Sequence, residues 1–381
     1  MNESTRYPIA AIRERVRLHN GPVLDFAVGP HREDPPASVR ELLGERGRRL
    51  PLTRASAAEI EELSEAAAAM MRRVYGVETS PTSILSVPGG RTAMSFLAST
   101  LIRPGDDVAV VEPCYPAFNR VAHQIHARVH SVPMDPARGF GPVTESLTPE
   151  DRSIVSFVAL NYPNNPTGAV LSSDSLRDFL GGFGSDTIVF NDATYGPLVF
   201  DRPPWSLLAE AGGTVGDRRF VELQSLAKLF ALGPLSVAFL VGDESIMADL
   251  REYSEYAWSD QSSLNVQVAL RCLSDGDRFD YVRKVFSDRL GRLRSTLEGL
   301  GFDPVPAESG MYIVCRTPSA IGGAPVADAQ QAADVLLRNH NVATVPWEVH
   351  PTSYLRFSSQ YLEEDLAALQ RLGRHGPLAK P

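Results

Sequence analysis

Short apolar runs alternate with amphipathic segments through the first two thirds of the chain. ILSV (84–87) precedes GGRTAMSFLASTLI, VAVVEP (108–113) precedes PAFNRVAHQIHA, and IVSFVALN (154–161) precedes SSDSLRDFL. Each pair reads as a strand and then a helix, and TIVFND (187–192) and RFVELQS (219–225) read as further strands. Apolar strands alternating with helices predict an α/β domain whose mostly parallel sheet is covered on both faces. Upstream, residues 56–75 predict a helix with Ser56 as cap and Glu59 three positions on. Residues 1–45 read as an irregular arm with one helix around 8–18. Near residue 275 the pattern changes. A helix at about 278–299 leads into GMYIVCR, ADAQQAADVLLRNH, ATVPW, SYLRFSS and LEEDLAALQRL, the strands and helices of a smaller α+β domain. The expected division is an arm at 1–45 belonging to the small domain, a large domain at 46–275 and the rest of the small domain at 276–381.

Composition narrows the function. The 381 residues carry a net charge of −9, which disfavours binding to a phosphate backbone and so to nucleic acid. No apolar run approaches the ~20 residues of a spanning helix, and the N-terminus shows no apolar signal core, so a cytoplasmic protein is expected. Cys114, Cys272 and Cys315 are far apart, form no CxxC and read as reduced core thiols. His123 and His126 lack a third ligand or an HExxH frame, so no metal site is expected. Of 37 basic residues only Lys228, Lys284 and Lys380 are lysines. Lys284 lies in a charged helix and Lys380 in the tail, but Lys228 falls in the mostly apolar stretch ELQSLAKLFALGPLSVAFLVG. A buried amine is costly unless it is functional or chemically modified.

In an open α/β sheet, ligands lie beyond the carboxyl ends of the strands. After ILSV comes PGGRTA, where Gly89 and Gly90 permit close backbone approach and the next helix offers free N–H groups, an anion cradle or simply a tight turn. Tyr115 follows VAVVEP, the asparagine-rich NYPNNPTG follows IVSFVAL with side-chain amides free to point outward, and Asp192 and Tyr195 end and follow TIVFN. Ser225 and Lys228 come after RFVELQ. Together these supply an anion cradle, an aromatic face, an amide, a carboxylate, a phenol and a lysine. That set matches pyridoxal phosphate, which needs an imine-forming lysine, a phosphate cradle, an aromatic face, an anion at its ring nitrogen and donors at its phenolate oxygen.

At this point the sequence resembles the class I/II aminotransferases of the fold-type I pyridoxal-phosphate enzymes, over roughly residues 20–372. NPTG (165–168) looks like the family's asparagine loop, DATY (192–195) like its Asp-x-x-Tyr, SLAK (225–228) like its Ser-x-Ser-Lys, and YLRFS (354–358) like its C-terminal arginine strand. The resemblance implies that Lys228 forms the Schiff base and then serves as general base of a 1,3-proton shift. Asp192 would pair with the pyridine nitrogen, Asn165 and Tyr195 would donate to the phenolate oxygen, and Tyr115 would stack on the ring. Gly89, Gly90, Arg91 and Ser225 would meet the phosphate, and Arg356 would clamp the substrate α-carboxylate, its plain alternative being a surface salt bridge. Asn165 and Gly29 would border the substrate, the segment after Gly29 would lie over the active site, and Asp25, His31 and Glu33 would be placed to contact a substrate side chain, a cationic one among the options. A homodimer is implied as well.

Four positions depart from the family's pattern. The phosphate-binding arginine eight residues after the lysine is Ser236, the second serine of Ser-x-Ser-Lys is Ala227, and a tyrosine that reaches the neighbouring subunit's phosphate falls near Leu50. Trp347 stands where a glycine is usual, and is expected to narrow or reshape the substrate pocket. Arg91 is the candidate substitute for the missing phosphate cation. The reading is an aminotransferase working on an α-amino acid and a 2-oxo acid. Its alternative is a non-transaminating enzyme with the same cofactor, performing β/γ-elimination or replacement, cyclisation, or O₂-dependent amino-acid oxidation. A nicotinamide dehydrogenase is excluded because no GxGxxG follows the first strand; GGFGSD (181–186) follows a helix.

Overall fold

The computed structural model of the chain describes residues 8–27, 33–46, 53–212, 219–235, 237–257, 261–349 and 352–380. They group into two units, one of Met1–Arg32, Asn165–Gly168 and Lys284–Pro381, the other of Glu33–Asn164 and Ala169–Arg283.

The larger unit is built on an eight-stranded sheet, in the order Ile84–Val87, Ala238–Gly242, Phe220–Ser225, Ile188–Asp192, Val155–Leu160, Asp107–Glu112, Arg128–Asp135 and Gly141–Pro142. The five strands from Phe220–Ser225 to Arg128–Asp135 are mutually parallel. Ala238–Gly242 runs antiparallel to both its neighbours, and Gly141–Pro142 is antiparallel at the other edge. Helices Gly90–Leu101, Ala117–Gln124 and Ser173–Leu180 follow their strands as the sequence predicts. Every residue of Ile188–Asp192, Phe220–Ser225 and Ala238–Gly242 is buried, as two covered faces require.

Several elements go beyond the sequence reading. Arg128–Asp135 (RVHSVPMD) mixes polar and apolar positions and includes Pro133, so it carries little strand signal of its own. Ala37–Arg46 is a helix inside the segment expected to be irregular. Only Val39 and Leu42 of its apolar residues are recorded as buried, too few to set a clear period. Strand Ala238–Gly242 and helices Glu244–Ala257 and Ser263–Ser274 complete the larger unit.

The smaller unit has a four-stranded antiparallel sheet, in the order Asp303–Pro304, Tyr312–Arg316, Thr352–Ser358, Val345–Val349. Its helix Ala329–His340 is capped by the Asp328 side chain and ends at Asn341 in the left-handed region. Helix Pro8–Leu18 contributes Ile12 to a small core with Ala27, Leu337, Ala343 and Val345. Trp347, expected to reshape a substrate pocket, packs against this core. Lys380, expected in a tail, belongs to the two-residue strand Ala379–Lys380, which pairs with Ala320–Ile321. Cys114, Cys272 and Cys315 are buried and free, and burial raises all three thiols. Among the described residues no helix is long and apolar enough to cross a membrane.

Helix Ala57–Tyr75 starts as its sequence foretells. Glu59 Oε2 accepts from the Ser56 backbone N at 2.9 Å and Ser56 Oγ accepts from Glu59 N at 3.2 Å, a reciprocal capping box. Glu59 Oε1 also accepts from Ser263 Oγ at 2.6 Å and Gln267 Nε2 at 3.2 Å, which ties this cap to helix Ser263–Ser274. The hydroxyl of Ser263, then the Ser56 N–H, hold the Glu59 carboxyl at about 2. A depressed carboxylate stabilises the fold above its unfolded value near 4.5, and that contribution disappears as pH falls towards 2. Glu59→Gln therefore lowers the thermal midpoint at pH 7 by roughly 2–4 °C. It also flattens the loss of stability between pH 4.5 and 2; thermal melts across that range check both effects.

Candidate active site

The larger unit gathers most of the predicted residues at its strand ends. Gly89, at φ 95°, precedes helix Gly90–Leu101 and caps it with no side-chain hydrogen bond. An added Cβ on Gly90 would already touch Leu223 Cδ2 at 3.4 Å. The first-turn N–H groups of this helix are thus presented without a side-chain cap, as an anion cradle needs. Arg91 is exposed at the same helix start.

The asparagines of the NYPNNPTG loop do not all point outward. Asn161 is buried, accepts from Tyr115 N at 3.1 Å and donates to Asp192 O at 2.9 Å. Asn164 is buried and donates to Pro113 O at 2.9 Å. Where strands stop, buried backbone groups lose their ladder partners, and these two amides replace them. Asn161 therefore joins the backbones of Tyr115 and Asp192, two of the predicted cofactor residues. Tyr115 itself is half-buried against the apolar core of the sheet.

Asp192 is 5% exposed. Its Oδ1 accepts from Thr194 Oγ1 at 2.6 Å and Thr194 N at 3.1 Å. Burial raises the Asp192 carboxyl, while Thr194 and the positive charge of Lys228 pull it back down. Lys228 is half-buried in the short helix Ala227–Phe230, whereas Lys284 and Lys380 are exposed. Ser225 is buried, and its Oγ accepts from Ala227 N at 3.3 Å. Tyr195 is buried at the start of the turn Gly196–Leu198. Thr194 escaped the sequence reading, although a hydroxyl two residues after a strand-end Asp is a recognisable turn signal.

In the smaller unit, Arg356 lies at the middle of strand Thr352–Ser358, between Val314 and Val345. It is 1% exposed, so the surface salt bridge does not apply, and among the described residues no carboxylate pairs with it. Its Nη1 donates to Asn165 Oδ1 at 3.4 Å and its Nη2 to Ala27 O at 3.1 Å. The guanidinium stands 4.1 Å from the centroid of the Tyr312 ring, a cation–π contact that the sequence reading missed. The signal for Tyr312 is its register, opposite Ser358 on the neighbouring strand, which the sequence does not display. Arg356 Nε is buried with no hydrogen-bond partner, an open donor on a buried cation.

The tetrapeptide Asn165–Gly168 is packed within this unit. Gly168 O accepts from Ser309 Oγ at 3.0 Å and Glu308 N at 3.1 Å. Gly168 has φ +72°, and a Cβ there would fall 2.8 Å from both Ala307 Cβ and Ser309 O. Asp25 Oδ1 accepts from Ala27 N at 3.0 Å, closing a local turn. Gly29, His31, Leu50 and Ser236 lie outside the described residues.

A family model described as aminotransferase class I and II matches residues 22–370. An LL-diaminopimelate aminotransferase of Methanocaldococcus jannaschii is 27% identical over 347 residues, 90% of this chain and 82% of that protein. The transaminase BacF of Bacillus subtilis is 28% identical over 312 residues, 80% of this chain and 76% of that protein. Among solved structures, substrate-bound BacF from Bacillus subtilis superposes with a TM-score of 0.86 at 22% identity, covering 100% of this chain and 97% of that one. Aspartate aminotransferase from Thermus thermophilus with maleate gives a TM-score of 0.82 at 24% identity, with 97% of each chain covered. These structural likenesses establish the fold as type I.

Gly168→Ala is expected to cost about 1–3 kcal/mol, from strained backbone and overlap with residues 307–309. Denaturant unfolding of parent and variant measures it.

Proposed function

The chain belongs to the class I and II aminotransferases, a pyridoxal-phosphate-dependent family of fold type I, and on that premise we propose a role for each residue of the two clusters. The protein exchanges an amino group between an α-amino acid and a 2-oxo acid. The residues present fit the cofactor. A buried carboxylate ends strand Ile188–Asp192, a half-buried lysine lies just beyond the adjacent strand Phe220–Ser225, and an uncapped helix start follows strand Ile84–Val87 of the same sheet. A buried arginine keeps an unused donor.

When bound, pyridoxal phosphate supplies an aldehyde that takes up the amino group and a protonated ring that draws electrons from the substrate α-carbon. In the larger unit, Lys228 Nζ would hold the cofactor covalently and, once released, take the proton from the substrate α-carbon. Asp192 supplies a fixed negative charge for the ring nitrogen, and its buried setting makes that charge strong. Tyr195 offers a phenol, Tyr115 an aromatic face, and Gly89, Gly90, Arg91 and Ser225 the donors for a phosphate. In the smaller unit, Arg356 with Asn165 would take a substrate carboxylate, the open Nε completing the fork of a bidentate contact. The observation that supports these roles is the placement of buried Asp192 at the end of one strand and half-buried Lys228 just beyond the end of the adjacent parallel strand.

A homodimer is proposed on the family resemblance. Tyr256, 84% exposed near the end of helix Glu244–Ala257, supplies aromatic surface suited to an interface. A cytoplasmic location is proposed on the three free, buried cysteines.

Lys228→Ala should lose at least roughly 10³-fold in kcat together with the shifted absorption band of the bound cofactor. Turnover at the parent's rate would sink the assignment. Arg356→Lys keeps the charge and loses the fork. With about 2–3 kcal/mol of charge-assisted hydrogen bonding lost, KM for the amino acid should rise roughly 30–150-fold. Steady-state kinetics with kcat and KM resolved separately give the answer, and an unchanged KM contradicts the role.

A further inference from the structure

Strands Ile188–Asp192 and Phe220–Ser225 carry chemistry on both of their faces. Asp192 is in register with Leu223, and Asn191 with Glu222. Side chains alternate along a strand, so Glu222 and Gln224 share one face with Asn191, while Leu223 and Ser225 share the other with Asp192. Leu223 belongs to the apolar core there. Glu222, by contrast, is 0% exposed and has no cation bonded to it among the described residues.

Four donors converge on the Glu222 carboxylate. Oε1 accepts from Ser206 Oγ at 2.7 Å and Gln224 Nε2 at 2.7 Å. Oε2 accepts from Leu207 N and from Asn191 Nδ2, the latter at 3.4 Å. Each arm continues outward. Asn191 Nδ2 donates to Tyr162 O at 2.8 Å and Asn191 Oδ1 accepts from Tyr162 N at 2.9 Å, which pins the start of the asparagine loop. Gln224 Oε1 accepts from Tyr75 Oη at 2.9 Å. Tyr75 Oη in turn fills the space at Gly196, where a Cβ would lie only 2.6 Å away, and Trp205 N donates to Gly196 O at 3.1 Å. Burial pushes the Glu222 carboxyl up to about 7 against these hydrogen bonds.

The network thus meets the backbone one residue from each of three proposed cofactor residues: Asn191 beside Asp192, Gln224 beside Ser225, and Gly196 beside Tyr195. None of its side chains has a part in the roles assigned above. We propose that Glu222 is a positioning residue for the reaction, a buried hydrogen-bond-accepting hub that fixes the strand ends presenting Asp192, Ser225 and Tyr195 to the cofactor. The inference rests on the reading of those strand ends as the cofactor site. An acceptor-only carboxylate suits a centre made of donors. Glutamine there keeps the shape but turns an N–H₂ towards at least one donor, leaving a buried clash of like groups.

The test compares the parent with Glu222→Gln, Tyr75→Phe and, as a destabilised control remote from the strand ends, Glu59→Gln. For each, the apo protein is titrated with pyridoxal phosphate, the visible circular dichroism of the loaded protein is recorded, and kcat and KM are measured separately. Glu222→Gln should weaken cofactor binding about tenfold, equivalent to about 1.4 kcal/mol, reduce the visible dichroism and lower kcat more than it raises KM. Tyr75→Phe, which removes one outer arm, should weaken binding about threefold. Glu59→Gln should leave affinity and spectrum at parent values. If Glu222→Gln folds and holds the cofactor with parent affinity and dichroism, the proposal is overturned, whatever its melting point. If that variant does not fold, Tyr75→Phe decides on the same two measurements. A parent that fails to bind pyridoxal phosphate would overturn the underlying reading instead.

Discussion

A carboxylate at the buried end of an apolar strand is a costly charge, and Asp192 is such a group. Taking an ion of that size out of water carries an effective penalty of several kcal/mol even after the protein relaxes. Thr194 supplies two hydrogen bonds and Lys228 a compensating charge, yet burial still raises the carboxyl. A cationic partner would stabilise the ionised form, and in the proposed role the protonated pyridoxal ring nitrogen would be that partner. The rest of the larger unit's site follows from keeping this strand end in place. Asn161 fastens its carbonyl, Asn164 fastens the adjoining turn, and the parallel register sets Ile188–Asp192 beside Phe220–Ser225.

The smaller unit handles a buried charge of the opposite sign in a different way. Arg356 lies in mid-sheet against the face of Tyr312, with two of its nitrogens on Asn165 and Ala27. None of those partners carries a negative charge. A guanidinium held by an aromatic face, an amide and a carbonyl remains electrostatically hungry, and this is what a carboxylate-binding group requires. Each cluster therefore pairs a rigid scaffold with a charge only partly compensated from within.

Much of this architecture was legible in the residues. The strands ILSV, VAVVEP and TIVFND, and the helices after the first two, were visible because strands covered on both faces are continuously apolar and amphipathic segments follow them. Ser56 and Glu59 marked a helix start because a capping box is local in sequence. Lys228 stood out because lysine is rare in this chain and its surroundings are apolar. What stayed hidden depends on register and on distant partners. Nothing in RVHSVPMD distinguishes a strand from a loop until Asp107–Glu112 lies beside it. The amides of Asn161 and Asn164 could have faced solvent, and only the burial of the strand ends turns them inward. Tyr75 and Gln224 are 149 positions apart, so no window along the sequence would link them.

The tetrapeptide Asn165–Gly168 has a consequence for how the protein can be dissected. It is packed with residues 307–309, although the chain on either side of it counts with the larger unit. Segment 24–27 likewise adds a parallel strand to Val342–Ala343 and a carbonyl to Arg356. The smaller unit is thus a composite of three non-contiguous stretches, and no single cut releases it whole. A gene fragment beginning at 284 would lack two of its pieces. Chimaeras between relatives should exchange all three stretches together, because a foreign C-terminal third would have to accept a native tetrapeptide against which it was never shaped.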